Sequence, residues 1–258
     1  MAQVHSFLKL TWVELKLFAR DPFATVFALV IPLIMLILLA AVFGHTSADA
    51  KANGLVVFRG VRGPEYYMTS SIGLVIVAIG LLNVPIHLAT YREQGILRRF
   101  RASSIPAWAI FGSQIAVALV ISALGSLIMV MVAVIFYGTR SPAAGFGVVV
   151  AFIMATLSFT ALGFLIAALV ETARATQGIT LILFFLFWML SGSGPPRAAL
   201  PDTARRFTGI VPLTHALIAI QDPWFGYGWN VGELIILAGI TITAAVPALL
   251  LFARDSES

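Results

Sequence analysis

The chain has 258 residues, 60% of them hydrophobic and only 10% charged, with a mean hydropathy of +1.01 and a formal net charge of +5. Soluble domains carry about 25% charged residues, so this chain lacks the polar surface to cover a water-soluble globule, and a multi-span membrane protein is the class that remains. The positive charge is no nucleic-acid signature, because the basic residues lie in short scattered segments without an aromatic-interleaved face. The absence of cysteine removes disulfide frameworks and thiolate metal sites.

Residues 5–20 have the pattern of an amphipathic helix. At about 100° per residue, His5, Lys9, Lys16 and Arg20 fall on one narrow stripe. Phe7, Leu8, Leu10, Val13, Leu15, Leu17 and Phe18 spread over the rest. Such a helix lies in the membrane interface with its basic stripe among the headgroups. Glu14 sits opposite the stripe. Either it snorkels to water, or it is buried and has to find a cation or a donor. The charges within this segment also speak against a cleavable signal peptide.

Asp21-Pro22 ends the pattern; Asp suits an N-cap and Pro the first turn of the helix that follows. That helix is the first span, 23–43, uncharged and long enough for a hydrocarbon core of about 30 Å. Pro32 near its middle is expected to kink it. The polar stretch 45–64 reads as an external loop with a short strand at Leu55 to Phe58. The second span, 66–89, begins with Tyr66 and Tyr67, placed as interfacial anchors. It ends with Asn83, Pro85 and His87, which fit a broken helix whose freed groups are met by its neighbours.

The stretch Tyr91 to Pro106, YREQGILRRFRASSIP, holds Arg92, Arg98, Arg99 and Arg101 between two long uncharged runs. A basic knot in that position belongs in water on the cytoplasmic side. A short helix at 91–102 is expected there, as a place for a soluble partner to dock. The third span is expected at 108–137 and the fourth, rich in Gly and Ala and suited to close packing, at 143–170. The fifth is expected at 175–192, ending in SGSGPP. The segment 195–229 is too charged and too often broken by proline to cross. Two short helices, re-entrant or lying on the outer surface, are expected in it. The sixth span is 231–252.

Six spans put both termini on one side. The basic residues assigned inside are Lys9, Lys16, Arg20, Arg92, Arg98, Arg99, Arg101, Arg174 and Arg254. Those outside are Lys51, Arg59, Arg62, Arg140, Arg197, Arg205 and Arg206. The inner set crowds against span ends, where the positive-inside bias acts most strongly.

No hydrolase or redox constellation is legible. The three lysines follow Leu, Leu and Ala, so there is no G-x-x-x-x-G-K-[ST] loop; HExxH and GxSxG are also absent. The predicted spans carry no interior Asp, Glu, Lys or Arg, the residues that ion-coupled transporters and pumps use to hold a coupling ion. A chain of this kind has no energy source of its own.

Three motifs, in order, resemble bacterial type-2 ABC transporter permeases. Arg20-Asp21-Pro22 is similar to the family's RDP start of the first span. Arg92-Glu93-Gln94-Gly95-Ile96-Leu97-Arg98-Arg99-Phe100 is similar to its E-x-G-x-L-x-x-L segment after the second. SGSGPP, then Leu200-Pro201 and Pro212-Leu213-Thr214, resembles its SG…P…LP…PLT run. Phe100 stands where Leu is commoner, and Pro106 sits about one residue late. The resemblance implies an all-α integral membrane protein and a single permease domain over 1–258. It would have a connecting helix (5–20), a cytoplasmic coupling helix (91–102) and six spans. It implies two copies of a cytoplasmic ATPase subunit that bind ATP and Mg, with no cofactor or metal held by this chain, which is not itself an enzyme. The ATPase contact falls on Arg92, Glu93, Gly95, Leu97, Arg98, Arg99, Phe100 and Arg101, and the start of the first span on Glu14, Arg20, Asp21 and Pro22. A second permease, the same or different, would meet this one along spans one and five, with Pro32, Phe184, Phe185, Phe187 and Trp188 facing partner or pathway. For these aromatics lipid contact is the other reading. The location implied is the bacterial cell membrane with both termini cytoplasmic. The function implied is ATP-driven export of a hydrophobic or amphiphilic compound such as a drug, an antibiotic or a lipid-linked molecule. The alternative is a non-transport assembly factor, sensor or immunity protein that binds a cytoplasmic partner.

Overall fold

The computed structural model describes residues 2–96 and 107–254, with side chains over 7–96 and 108–252. Among the described residues, six helices are long and apolar enough to cross a membrane. They are Pro22–Phe43, Gly63–Glu93, Trp108–Tyr137, Gly145–Leu169, Ala173–Ser191 and Val231–Phe252, spans 1 to 6 below. A further helix, Ala2–Arg20, precedes them. The described sheet is one two-stranded hairpin, Lys51–Ala52 with Leu55–Val56. The chain is an all-α integral membrane protein.

An even number of spans returns the chain to the side it left. The Phe111 ring at the start of span 3 lies 5.1 Å from that of Phe252 at the end of span 6. Phe7 of the N-terminal helix stacks on Trp108, 6.2 Å away, on the same side. We call this the near side. The hairpin, the turn between spans 3 and 4, and residues 192–230 form the far side.

Span 2 is the hub. Its most apolar stretch is 89% buried, against 17% for spans 5 and 6. Burial is this complete because small residues let backbones touch. A Cβ on Gly163 of span 4 would lie 2.1 Å from the Gly80 carbonyl oxygen of span 2, and one on Gly80 would lie 2.6 Å from Phe159 Cβ. Van der Waals packing is the main attraction available between helices in lipid, and it requires this approach.

Both proline breaks take one form. Pro32 follows a π-helical turn at Val26–Val30, and Pro85 one at Ala78–Asn83. Ile31 N–H donates to the Val26 carbonyl and Val84 N–H to that of Ile79, so the residue before or just before each proline reaches one position further back. Proline has no N–H and crowds the carbonyl of residue i−4; widening the preceding turn relieves both without breaking the span.

On the far side two expectations change and an open one is decided. The strand expected at Leu55 to Phe58 stops at Val56, after a turn through Asn53 (φ 52°) and Gly54 (φ 77°). Phe58 is instead fully buried. Tyr66 and Tyr67 are not interfacial anchors. They are 2% and 1% exposed, in a cluster with Phe43 and Phe58, and Tyr66 Oη donates to the Gly192 carbonyl at 2.8 Å. Four rings that bury one another and one bonded hydroxyl outweigh a wet interface. Of the two placements expected for the second short helix of the 195–229 segment, Pro212–Phe225, re-entrant or on the surface, the first is found. Leu213, Ala216, Leu217, Ile220 and Gln221 are buried, and Leu213 and Leu217 reach the position of Gly73 in span 2. Gly73 is ten residues into span 2, about 15 Å along it, so this helix is re-entrant. The short helix Asp202–Phe207 has no buried residue.

Candidate functional site

The near end of span 2 gathers the residues singled out by sequence. Thr90 Oγ1 donates to the Ile86 carbonyl at 2.8 Å, one turn back. Tyr91 Oη donates to Glu14 Oε1 at 2.8 Å. Glu14 is 4% exposed, so it is buried and has found a donor rather than snorkelling. Arg92 Nη2 donates to the carbonyls of Ala167, at 2.8 Å, and Val170. Glu93 Oε1 accepts from the backbone N–H of Ala173 at 2.9 Å. Gln94 then caps the helix and Gly95 turns the chain with φ +66°. A Cβ on Gly95 would meet nothing within 4 Å, so within this chain the glycine is required by its left-handed conformation and not by a close approach. Leu97, Arg98, Arg99, Phe100 and Arg101, the rest of the expected coupling helix, lie outside the described residues.

The start of span 1 follows from local chemistry. Asp21 adopts an extended conformation and accepts from Ala24 N–H at 3.1 Å, with Pro22 opening the helix. Arg20 is exposed in the last turn of the N-terminal helix, where a cation suits the C-terminal dipole. His87 Nε2 stands 3.7 Å from Asp21 Oδ2, too far for a hydrogen bond, and is buried without a partner.

The residues expected to face a partner or a pathway divide. Pro32 is on the packed side of span 1 with Ala28, Leu36 and Ala40. The open side of that span is Val26, Val30, Ile34, Ile37, Leu38 and Val42. Phe184 is 1% exposed and meets Phe27 of span 1 edge-on at 6.0 Å. Phe187 and Trp188 are half-buried, and Trp188 Nε1 is buried without a partner. Phe185 is 43% exposed and lines an apolar hollow of about 460 Å³ with Leu181, Ile182, Leu186, Met189 and Leu190. The contact between Phe27 and Phe184 joins spans 1 and 5 at their packed sides.

Sequence reasoning missed a polar network on the far side. Arg59 pairs with Asp222 at 2.5 Å and donates to Gln221 Oε1 at 3.0 Å. Asn230 Nδ2 donates to Asp222 Oδ2 at 2.8 Å, and Asn230 Oδ1 accepts from Glu233 N–H at 3.2 Å. Glu233 Oε2 lies 2.5 Å from His215 Nδ1. Burial pushes the Arg197 guanidinium below its ordinary pKa; Tyr66 opposes this, Arg59 adds to it, and Glu233 and Asp222 oppose it more weakly. These residues are more than a hundred positions apart in several pairs, so no local pattern announces them. The one available signal was the charge density of 195–229 itself. Glu65 was also missed, because span 2 begins at Gly63. It sits in the first helical turn, 8% exposed, paired with Arg62 at 2.9 Å. Among the described residues no three His, Asp or Glu side chains stand close enough to hold a metal ion.

Compared with known proteins, the chain matches the family model described as "ABC-2 type transporter" over residues 5–225. It is similar to a protein of Escherichia coli K12 named "Probable multidrug ABC transporter permease YbhR", 27% identical over 200 residues, which are 74% of this chain and 53% of that protein. The protein of the same name in Escherichia coli O157:H7 matches with the same identity and coverage. The chain spans about half the length of these curated relatives.

Proposed function

This chain belongs to the ABC-2 type transporter family, and from that premise we propose that it is the membrane-spanning permease subunit of an ATP-driven exporter. The substrate class of this reading is a hydrophobic or amphiphilic compound; the relative is named as a probable multidrug permease. Two copies of a cytoplasmic ATPase bind ATP and Mg and deliver the work, and a second permease, the same or different, completes the pathway. The near side faces the cytoplasm of a bacterial cell and holds both termini.

The observation that carries this reading is the family match over residues 5–225. Among the described residues the charged groups within spans lie at their ends. Arg92 and Glu93 close span 2 at the near side, Arg174 is in the first turn of span 5, and Glu65 and Glu233 open spans 2 and 6 at the far side. Span 2, the most buried helix, leads straight into the basic segment, so force applied there acts on the hub. In the docking segment Leu97 and Phe100 are the apolar anchors and Arg98, Arg99 and Arg101 the charged rim.

The test is co-purification of an ATPase and substrate efflux. Leu97→Asp or Phe100→Asp abolishes both while the chain still inserts. A single rim arginine changed to Ala does less, because an exposed ion pair contributes about 0–1 kcal/mol. The chain alone hydrolyses no ATP. Normal ATPase capture and efflux by Leu97→Asp would sink the proposal, and a chain that never captures an ATPase would favour the sensor or assembly-factor reading.

A further inference from the structure

Arg92 and Glu93 are neighbours in sequence, yet they grip opposite sides of one turn. Span 4 ends at Leu169 and span 5 begins at Ala173, leaving only Val170 to Thr172 between them. Arg92 donates to Ala167 and Val170 carbonyls on the span 4 side. Glu93 accepts from Ala173 N–H on the span 5 side. Successive helical side chains diverge by about 100°, which lets one helix end reach both.

The signs match the two helix ends. The last carbonyls of span 4 lack partners within the helix and carry the negative end of its dipole, where Arg92 places a cation. The first N–H groups of span 5 are orphaned donors at a positive end, where Glu93 places an anion. Thr172 Oγ1 takes a second of those donors, from Ala175, at 3.2 Å. Hydrogen bonds with one charged partner are about twice as strong as neutral ones; the Arg92 bonds are part-buried, while solvent screens the exposed Glu93 bond.

The place of this joint in the chain gives it a use. Two residues beyond Glu93, Gly95 turns the chain toward the docking segment. On the other side of the joint stands span 5, among the least buried of the six, held to the most buried one. We infer that Arg92 and Glu93 are positioning residues that carry movement of the docking segment into the turn between spans 4 and 5, instead of being contacts for the ATPase. The source of that movement rests on the proposed function; the joint itself does not.

Two measurements test this. In the purified chain, Glu93→Ala raises amide exchange over Ala173 to Ala175 by about tenfold or more, the scale of one lost charge-assisted hydrogen bond. Glu93→Gln, whose side-chain carbonyl still accepts, keeps most of the protection. Unchanged exchange in Glu93→Ala overturns the inference. In vesicles containing the chain and the ATPase that co-purifies with it, Arg92→Ala with Glu93→Ala still holds the ATPase, but efflux falls about tenfold or more, since the joint is lost on both sides. Glu93→Gln restores part of the efflux to Glu93→Ala, which a bulk loss of folding does not do. Loss of the ATPase from the double variant overturns the inference and returns these residues to the docking surface; efflux within about twofold of wild type overturns it as well. Should the double variant aggregate, Glu93→Ala alone gives the same two readings. A wild-type chain that captures no ATPase defeats the proposed function and takes the source of movement with it, while the exchange result still reports on the joint.

Discussion

Tyr91 Oη donates to Glu14 Oε1 at 2.8 Å, across 77 positions of sequence, and this bond fastens the N-terminal helix to the near end of span 2. Both groups are buried, at 9% and 4% exposure. An unsatisfied carboxylate there would carry a large desolvation cost. Tyr91→Phe is therefore expected to destabilise the protein by about 1–3 kcal/mol. Glu14→Gln combined with Tyr91→Phe should cost less than the sum of the two single changes. Thermal unfolding in detergent measures the cycle, and strict additivity would show that the bond contributes nothing.

The contact of spans 2 and 4 gives a second prediction. Gly163→Ala places a Cβ 2.1 Å from the backbone oxygen of Gly80, which cannot swing aside as a side chain can. Overpacking of this kind costs about 1–3 kcal/mol or more. Gly178→Ala in span 5 meets nothing within 4 Å and should be neutral or stabilising by up to about 1 kcal/mol. Yield and melting temperature of the two variants should diverge. Equal behaviour would mean that the close approach is absent in the membrane.

The open faces of spans 1 and 5 predict where a second permease lies. The chain has no cysteine, so single cysteines report cleanly. Ile182→Cys and Met189→Cys should cross-link to a neighbouring permease in the membrane with a short bifunctional reagent. Ile242→Cys on span 6, 62% exposed, should not. Cross-linking that is as efficient at Ile242 would remove spans 1 and 5 as the interface.

Orientation is tested in the same cysteine-free background. Ser47 and Thr203 are both exposed on the far side. Cysteines at these positions should react with an impermeant thiol reagent in intact cells. One at Ser103 should react only after the membrane is opened. Labelling of Ser103 in intact cells would invert the assignment.

The sequence by itself determined the solvent, the number of crossings and the family. Those follow from one-dimensional properties: runs of about 20 uncharged residues, charges at their ends, and motifs in order. It also determined some local structure, because Asp21-Pro22 and Asn53-Gly54 act within a few residues of themselves. Only the tertiary structure decided what each polar group is bonded to. Glu14 could be read as wet or buried until span 2 brought Tyr91 beside it. Tyr66 and Tyr67 looked like anchors because sequence shows that a residue is near a span end but not which way it faces. The helix Pro212–Phe225 could be re-entrant or superficial by sequence because its polar residues are visible there and their partners, Arg59 and Ser70, are not. The intrachain partners of Arg92 and Glu93 are equally invisible in sequence. Their acceptor and donor are backbone groups at two distant helix ends, and every residue carries the same backbone, so no side-chain pattern could mark them.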